Sequence, residues 1–377
     1  MRKLNFYFLF LVLAFLTSCR TDDIIVRQEV VEGLPSENTA IKGFYMLNEG
    51  NMGSNKCTLD FFDYTKGTYF RNIYAEINPN VVKELGDVGN DIKVYGSKLY
   101  IVVNVSNKIE VLDAKTAKRI TSIPLQNCRY LAFKGGKAYA SSYAGPVAIN
   151  PKAPKGKVVE IDTTSLSIQR EAVVGYQPEE IEIVGNKLFV ANSGGYKAPD
   201  YDNTISVVDL NTFTEIKKIE VAINLHHLKK DNYGDLYVTS RGDYYNIPSS
   251  LYLIDAATGS VKKNFNLSVS EMTIVNDKLY FYGNEFNYNT HSYKKSFGMI
   301  DVKTEEIIAN RIFDKEYEDA IKTPYGIAVN PITEDIYMTD ARNYVSMGFV
   351  YCFDKNGHFK WKTEGGNIPA HFAFLYK

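Results

Sequence analysis

The sequence predicts an all-β chain, folded as a seven-bladed β-propeller of four-stranded antiparallel blades. Three observations predict it. Short strand-type runs alternate with turn residues along nearly the whole chain, an acidic residue recurs at one place in each group of four runs, and the last residues look like a displaced first strand. Residues 177–221 show the plan most clearly. Ile181 to Val184 turns through Gly185-Asn186 into Leu188 to Asn192, and a long loop then leads to Thr204 to Asp209 and, across Leu210-Asn211-Thr212, to Glu215 to Val221. We name these four runs a, b, c and d. Alternating apolar and polar residues between Gly, Asn and Asp punctuators mark antiparallel strands, and Asp or Asn at the c–d turn binds nearby backbone amides.

The acidic residue that closes run c counts the repeats: Asp63, Asp113, Asp162, Asp209, Asp255, Asp301 and Asp354, seven copies spaced 46 to 53 residues apart. A four-stranded unit at this period cannot bury both faces alone, so the copies must stack on one another around a ring. The first copy opens at Gly43 with a b-type run, FYMLNEG, and has no run a. The last copy continues past its d run, Gly357 to Trp361, into NIPAHFAFLYK, which resembles the a runs elsewhere. Phe372 to Leu375 is therefore expected to enter the first blade as its innermost strand. The expected organisation is an N-terminal signal segment, a flexible tether, and the propeller at 43–377.

Composition agrees with this. Hydrophobic residues make up 45% of the 377, with 28 Tyr and 21 Phe, and the formal net charge is −1. No basic block offers an electrostatic footprint for nucleic acid. At the N-terminus Arg2 and Lys3 precede an apolar run from Leu4 to Leu16, 13 residues. That is short of the roughly 20 needed to span a bilayer, and it has the form of a secretory signal. Cys57, Cys128 and Cys352 are far apart and include no CxxC, which argues against thiol redox chemistry or a zinc ribbon. Buried thiols are expected, with a Cys57–Cys128 disulfide as the alternative.

Loop lengths choose the binding face. Most a–b turns are minimal, whereas the b–c loops are long and aromatic, for example NSGGYKAPDYDN at 192–203, SRGDYYNIPSS at 240–250 and GNEFNYNTHSYKKS at 283–296. Variable loops on a rigid scaffold commonly carry function. Tyr143, Tyr196, Tyr201, Tyr244 and Tyr245 are expected around the mouth, with Phe286, Tyr288, Tyr293 and Tyr344 completing the set. Tyr gives flat apolar area and a hydroxyl at little entropic cost, which suits a large ligand that is part apolar and part hydrogen-bonding. Register adds a second layer at the start of each a run, where Asn90, Arg129, Glu179, His226 and Tyr325 align in five blades, each followed by a further channel candidate such as Glu180, His227 or, in the first blade, His371.

No nucleophile elbow or HExxH occurs, so no catalytic residue and no metal site is assigned. Asp200, Asp202 and Asn203 have a spacing that suits calcium but lack the EF-hand loop. Adjacent residues on a strand face opposite ways, so His226-His227 and Glu179-Glu180 are not expected to form sites as pairs.

The pattern N-K-L-(F/Y)-V followed by (I/V)-x-V-(V/L)-D-x-x-T, at Asn186 to Val190 with Ile205 to Thr212 and near Lys98 to Val102 with Ile109 to Thr116, resembles YncE-like seven-bladed propellers. Leu16-Thr17-Ser18-Cys19 resembles a bacterial lipobox, and Arg20-Thr21-Asp22-Asp23 resembles an export tag of gut Bacteroidetes surface lipoproteins. With the opening GFYMLNEGNMGSN, the chain is similar to the BtuG cobalamin-capture group. That resemblance implies a signal peptide at 1–18, an acylated Cys19 with a tether at 19–42, anchoring at the outer membrane with exposure on the cell surface, and a corrinoid (vitamin B12) as transported ligand rather than cofactor. It also implies hand-over to a TonB-dependent outer-membrane transporter by a protein that is monomeric outside that complex, without enzymatic activity. The alternative is a glycan- or protein-binding surface propeller with no corrinoid affinity.

Overall fold

A computed structural model of the chain describes residues 28–31, 40–81 and 85–377. Seven small antiparallel sheets form a ring, a seven-bladed β-propeller with two short helices, α1 (Ile73–Ile77) and α2 (Lys315–Ala320), both in d-to-a connections. The innermost strands, in blade order from the first, are Pro369–Tyr376, Gly89–Tyr95, Cys128–Lys134, Pro178–Val184, Leu225–Lys230, Glu271–Val275 and Pro324–Val329.

The ring closes as expected. Pro369–Tyr376 pairs antiparallel with Ile41–Asn48, placing Phe372 opposite Met46 and Leu375 opposite Gly43. Gly43 is required there, because a Cβ would stand 2.0 Å from the Phe62 carbonyl oxygen.

Blades are held by what lies between them. Seven apolar clusters occupy the seven seams. Tyr45, Leu47 and Leu59 meet Leu99, Ile101 and Leu112 at the first seam, and Phe44, Met46 and Phe62 meet Tyr337, Val350 and Trp361 at the closing one. Each fully buried side chain of this kind contributes about 1.5–3 kcal/mol. The repeated aspartates do local work. Asp113 Oδ1 accepts from the amides of Lys115 (3.1 Å) and Thr116 (2.9 Å) and from Thr116 Oγ1 (2.7 Å), and Asp162, Asp209, Asp255 and Asp301 take the same two amides in their own turns.

Two details depart from expectation. Gln28–Val30, placed in the tether by sequence, is a fifth strand on the outer edge of the first blade, with Glu29 opposite Tyr69. Burial draws it there: Val31 joins the closing core and Thr363 Oγ1 donates to Glu29 Oε2 at 2.7 Å. Residues 283–296 are mostly not a loop. The strands Lys278–Asn287 and Ser292–Asp301 run on as a paired hairpin to Asn287 opposite Ser292, since alternation persists through Asn284-Glu285-Phe286 and leaves a short turn. The cysteines agree with the expectation of buried thiols: Cys128 carries a thiol whose Sγ reaches the Lys108 carbonyl at 3.3 Å. The signal peptide, Cys19 and most of the tether lie outside the described residues. No helix among the described residues is long and apolar enough to cross a membrane.

Candidate functional site

A β-bulge at the start of strand a shapes the channel mouth. In six blades the a–b register skips a residue there: between Gly89 and Asp91, Cys128 and Leu131, Pro178 and Ile181, Leu225 and Leu228, Pro324 and Ile327, and Pro369 and His371. Bulges re-aim side chains that a regular strand would send to opposite faces. The expectation that neighbours such as His226 and His227 point apart therefore fails. Their ring centroids are 3.7 Å apart.

Above these bulges lies a cavity of about 370 Å³, lined both by strand-a starts and by b–c loop residues. Asn90, Arg129, His226, Tyr244, Phe286, Tyr325 and Tyr344 of the sequence-derived set line it directly. Tyr143 and Glu179 do not. Glu179 is 1% exposed and Tyr143 3%, and together they support Arg129 from below. Arg129 donates to Glu179 Oε2 from Nε (3.0 Å) and Nη2 (2.9 Å), Tyr143 donates to Oε1 (2.6 Å), and Arg241 Nη1 approaches Oε1 at 3.4 Å. Asn90 fixes the backbone of this group, its Nδ2 donating to the Arg129 carbonyl at 2.7 Å. Tyr196 packs edge-on to Tyr143, and Tyr201 sits half-buried near Tyr244 and Tyr245.

Tyr245 and Tyr288 form a shelf beside the cavity, stacked at 5.1 Å and extended by Phe286 and Tyr293. Tyr245, Tyr288 and Tyr293 are 53%, 47% and 60% exposed.

The floor is a chain of hydrogen-bonded side chains. His227 joins two carboxylates, Nδ1 to Glu180 Oε2 at 3.1 Å and Nε2 to Glu271 Oε2 at 3.3 Å, while Lys229 pairs with Glu180. His226 Nε2 meets the Tyr130 hydroxyl at 3.0 Å. Across the mouth Glu49 joins His371 Nε2 (2.9 Å) and Tyr325 (2.7 Å). The charges follow. Burial, with Arg241, His227 and Arg129 nearby, drives His226 well below the usual imidazole value. Burial also disfavours the His371 cation, but the Glu49 carboxylate outweighs it and raises His371. Burial opposes the Glu179 charge, and Arg129, Arg241 and Tyr143 more than offset it, so its carboxyl lies below the ordinary range.

Asp202 is spent on the loop it belongs to: Oδ1 accepts from Thr204 and Oδ2 from the Tyr176 amide at 2.9 Å. Among the described residues no group of three or more His, Cys, Asp or Glu is arranged to hold a metal. Sequence reasoning missed Arg241, Glu49, Glu285 and Tyr282 in the cavity wall. Arg241 and Glu49 each follow directly on a b strand, inside loops already singled out, so their position was a usable signal.

Comparison with solved structures returns propellers at low identity. A quinoprotein alcohol dehydrogenase-like protein from Bacteroides thetaiotaomicron has a TM-score of 0.58 at 15% identity, over 90% of this chain and 79% of that one. Kuenenia stuttgartiensis hydrazine synthase gives 0.56 at 17%, over 71% and 77%, and the Pan2 WD40 domain of Neurospora crassa gives 0.51 at 12%, over 77% and 79%. Such likeness speaks to fold alone. No curated protein matches significantly. Residues 42–374 match the family described as domain of unknown function (DUF5074), and the chain belongs to that family.

Proposed function

We propose that this propeller is a lipid-anchored protein of the outer membrane that captures a corrinoid on its loop face and passes it to a TonB-dependent transporter. The observation that carries the reading is the exposed shelf of Tyr245, Tyr288 and Tyr293 adjoining a cavity of mixed polar and apolar lining on one face of the ring. A corrinoid is a broad apolar ring edged with amides. Its ring would lie on the shelf, and its edge would meet Asn90, Asn284 and the tyrosine hydroxyls. A volume of about 370 Å³ is at the low end for small-molecule pockets, which suits a ligand that inserts one edge and rests the remainder outside. Binding without catalysis is consistent with the acids in the wall: Glu49 and Glu271 are each engaged by an imidazole partner, and Glu285 accepts the Ser249 amide.

Acylation at Cys19 would hold the capture face at the cell surface. Mixing purified protein with cyanocobalamin and following the red absorbance on a sizing column tests the ligand. Co-elution is expected, and its absence together with calorimetric heat from a polysaccharide would transfer the assignment to glycan binding, in which the same shelf stacks on sugar rings.

A further inference from the structure

We propose that Arg129 and Arg241 form an oxyanion subsite in the cavity wall, taking a phosphate or carboxylate group of the bound ligand. The inference rests on the reading that the cavity is the ligand site, and narrows what occupies it.

Two guanidinium groups share one carboxylate. Glu179, 1% exposed, answers Arg129 with two short bonds, and Arg129 is further fixed by the ring faces of Tyr143 (5.0 Å) and Tyr130 (5.8 Å). Arg241 is different. Its side chain is 31% exposed and lines the cavity, and among the described residues its one side-chain hydrogen bond is the 3.4 Å approach of Nη1 to Glu179. The other donors of its planar fork are unspent, which is the arrangement that recognises an oxyanion in bidentate fashion.

The acids that line the cavity are bonded to partners other than Arg241. Glu49 is engaged by His371 and Tyr325, Glu271 by His227 and the Met272 amide, and Glu285 accepts the Ser249 amide at 3.1 Å. Lys229 is paired with Glu180 below the floor. The cavity is thus bipolar, with answered acids on the side of the first and sixth blades and a partly unanswered cationic pair on the side of the third and fifth. A neutral glycan would leave that pair unused. A corrinoid with its phosphodiester-bearing nucleotide arm, or an acidic glycan, would occupy it.

The test uses three probes, inorganic phosphate, cyanocobalamin and cobinamide, on the wild type and Arg241→Gln, with Lys187→Gln on the opposite face as a control. Inorganic phosphate, titrated against chloride at matched ionic strength, is expected to raise the thermal midpoint of the wild type and of the control saturably, and to leave Arg241→Gln unmoved. Equal responses in wild type and Arg241→Gln, or none in either, would overturn the subsite. In the second arm Arg241→Gln should weaken cyanocobalamin about tenfold or more, the scale of a lost charged hydrogen bond, while cobinamide, which lacks the phosphodiester, changes less than about twofold. Equal weakening of both corrinoids counts against the subsite. If neither corrinoid binds but the phosphate response depends on Arg241, the subsite stands and the corrinoid reading fails.

Discussion

Replacing Glu179 by Gln keeps its volume but removes the charge that two arginines share. Arg129 has a side chain only 14% exposed and Glu179 only 1%, so the variant leaves a largely buried guanidinium without its counter-ion. Breaking a buried pair from one side costs about 3–5 kcal/mol. The retained amide oxygen can still accept one bond, so we take the lower end, about 3 kcal/mol. For roughly 335 folded residues at about 2.1 cal/mol/K each, the unfolding entropy is about 0.7 kcal/mol/K, and the midpoint should fall by about 4 °C. The pH dependence has a definite sign. Glu179 titrates lower when folded, so its contribution is complete above the unfolded carboxyl value near ~4.3 and is lost as pH falls through the folded value. Thermal melts of wild type and Glu179→Gln should therefore differ at pH 7, and the gap should narrow as pH falls below the unfolded carboxyl value. Identical midpoints at pH 7, or a gap that does not change with acid, would refute the claim that this carboxylate is a charged support for the two arginines.

Two other outcomes follow from the same geometry. Deleting residues 369–377 removes the inner strand of the first blade and Leu375 from its core, and should yield a chain that aggregates or melts without cooperativity; a soluble, cooperatively melting deletion product would contradict closure by this strand. Proton NMR titration should find His371 losing its proton above the usual imidazole value and His226 gaining one only well below it. Accordingly the His371 contribution to stability is present below the unfolded value and fades as pH rises through the folded one, whereas burial of neutral His226 favours folding above the unfolded value and weakens toward acid. A His226 resonance that titrates normally would mean water and counter-charge reach it more freely than its burial implies.

The ring was legible in the chain because a blade is a local object. Its four strands are consecutive, its turn is written in one aspartate and the next three residues, and the missing first strand has only one place to come from. The loop face was legible for the same reason, since loop length is a property of sequence. The fifth strand at Gln28–Val30 was not, because its partners Thr68–Phe70 and Thr363 are distant, and nothing in three polar and β-branched residues names them.

Sequence by itself determined the number of blades, the closure, and the positions that open toward the axis: Asn90, Arg129, Glu179, His226 and Tyr325 all fall at equivalent places. Tertiary structure alone decided their roles. The bulge at six of the seven strand starts sets whether neighbouring side chains diverge or meet, and blade-to-blade distances set that Glu179 and Tyr143 sit beneath Arg129 while Arg241, one residue past a strand end, takes the open position. Those distances depend on packing across seams between segments some fifty residues apart, and charge pairing over a few ångströms cannot be read from periodicity along the chain.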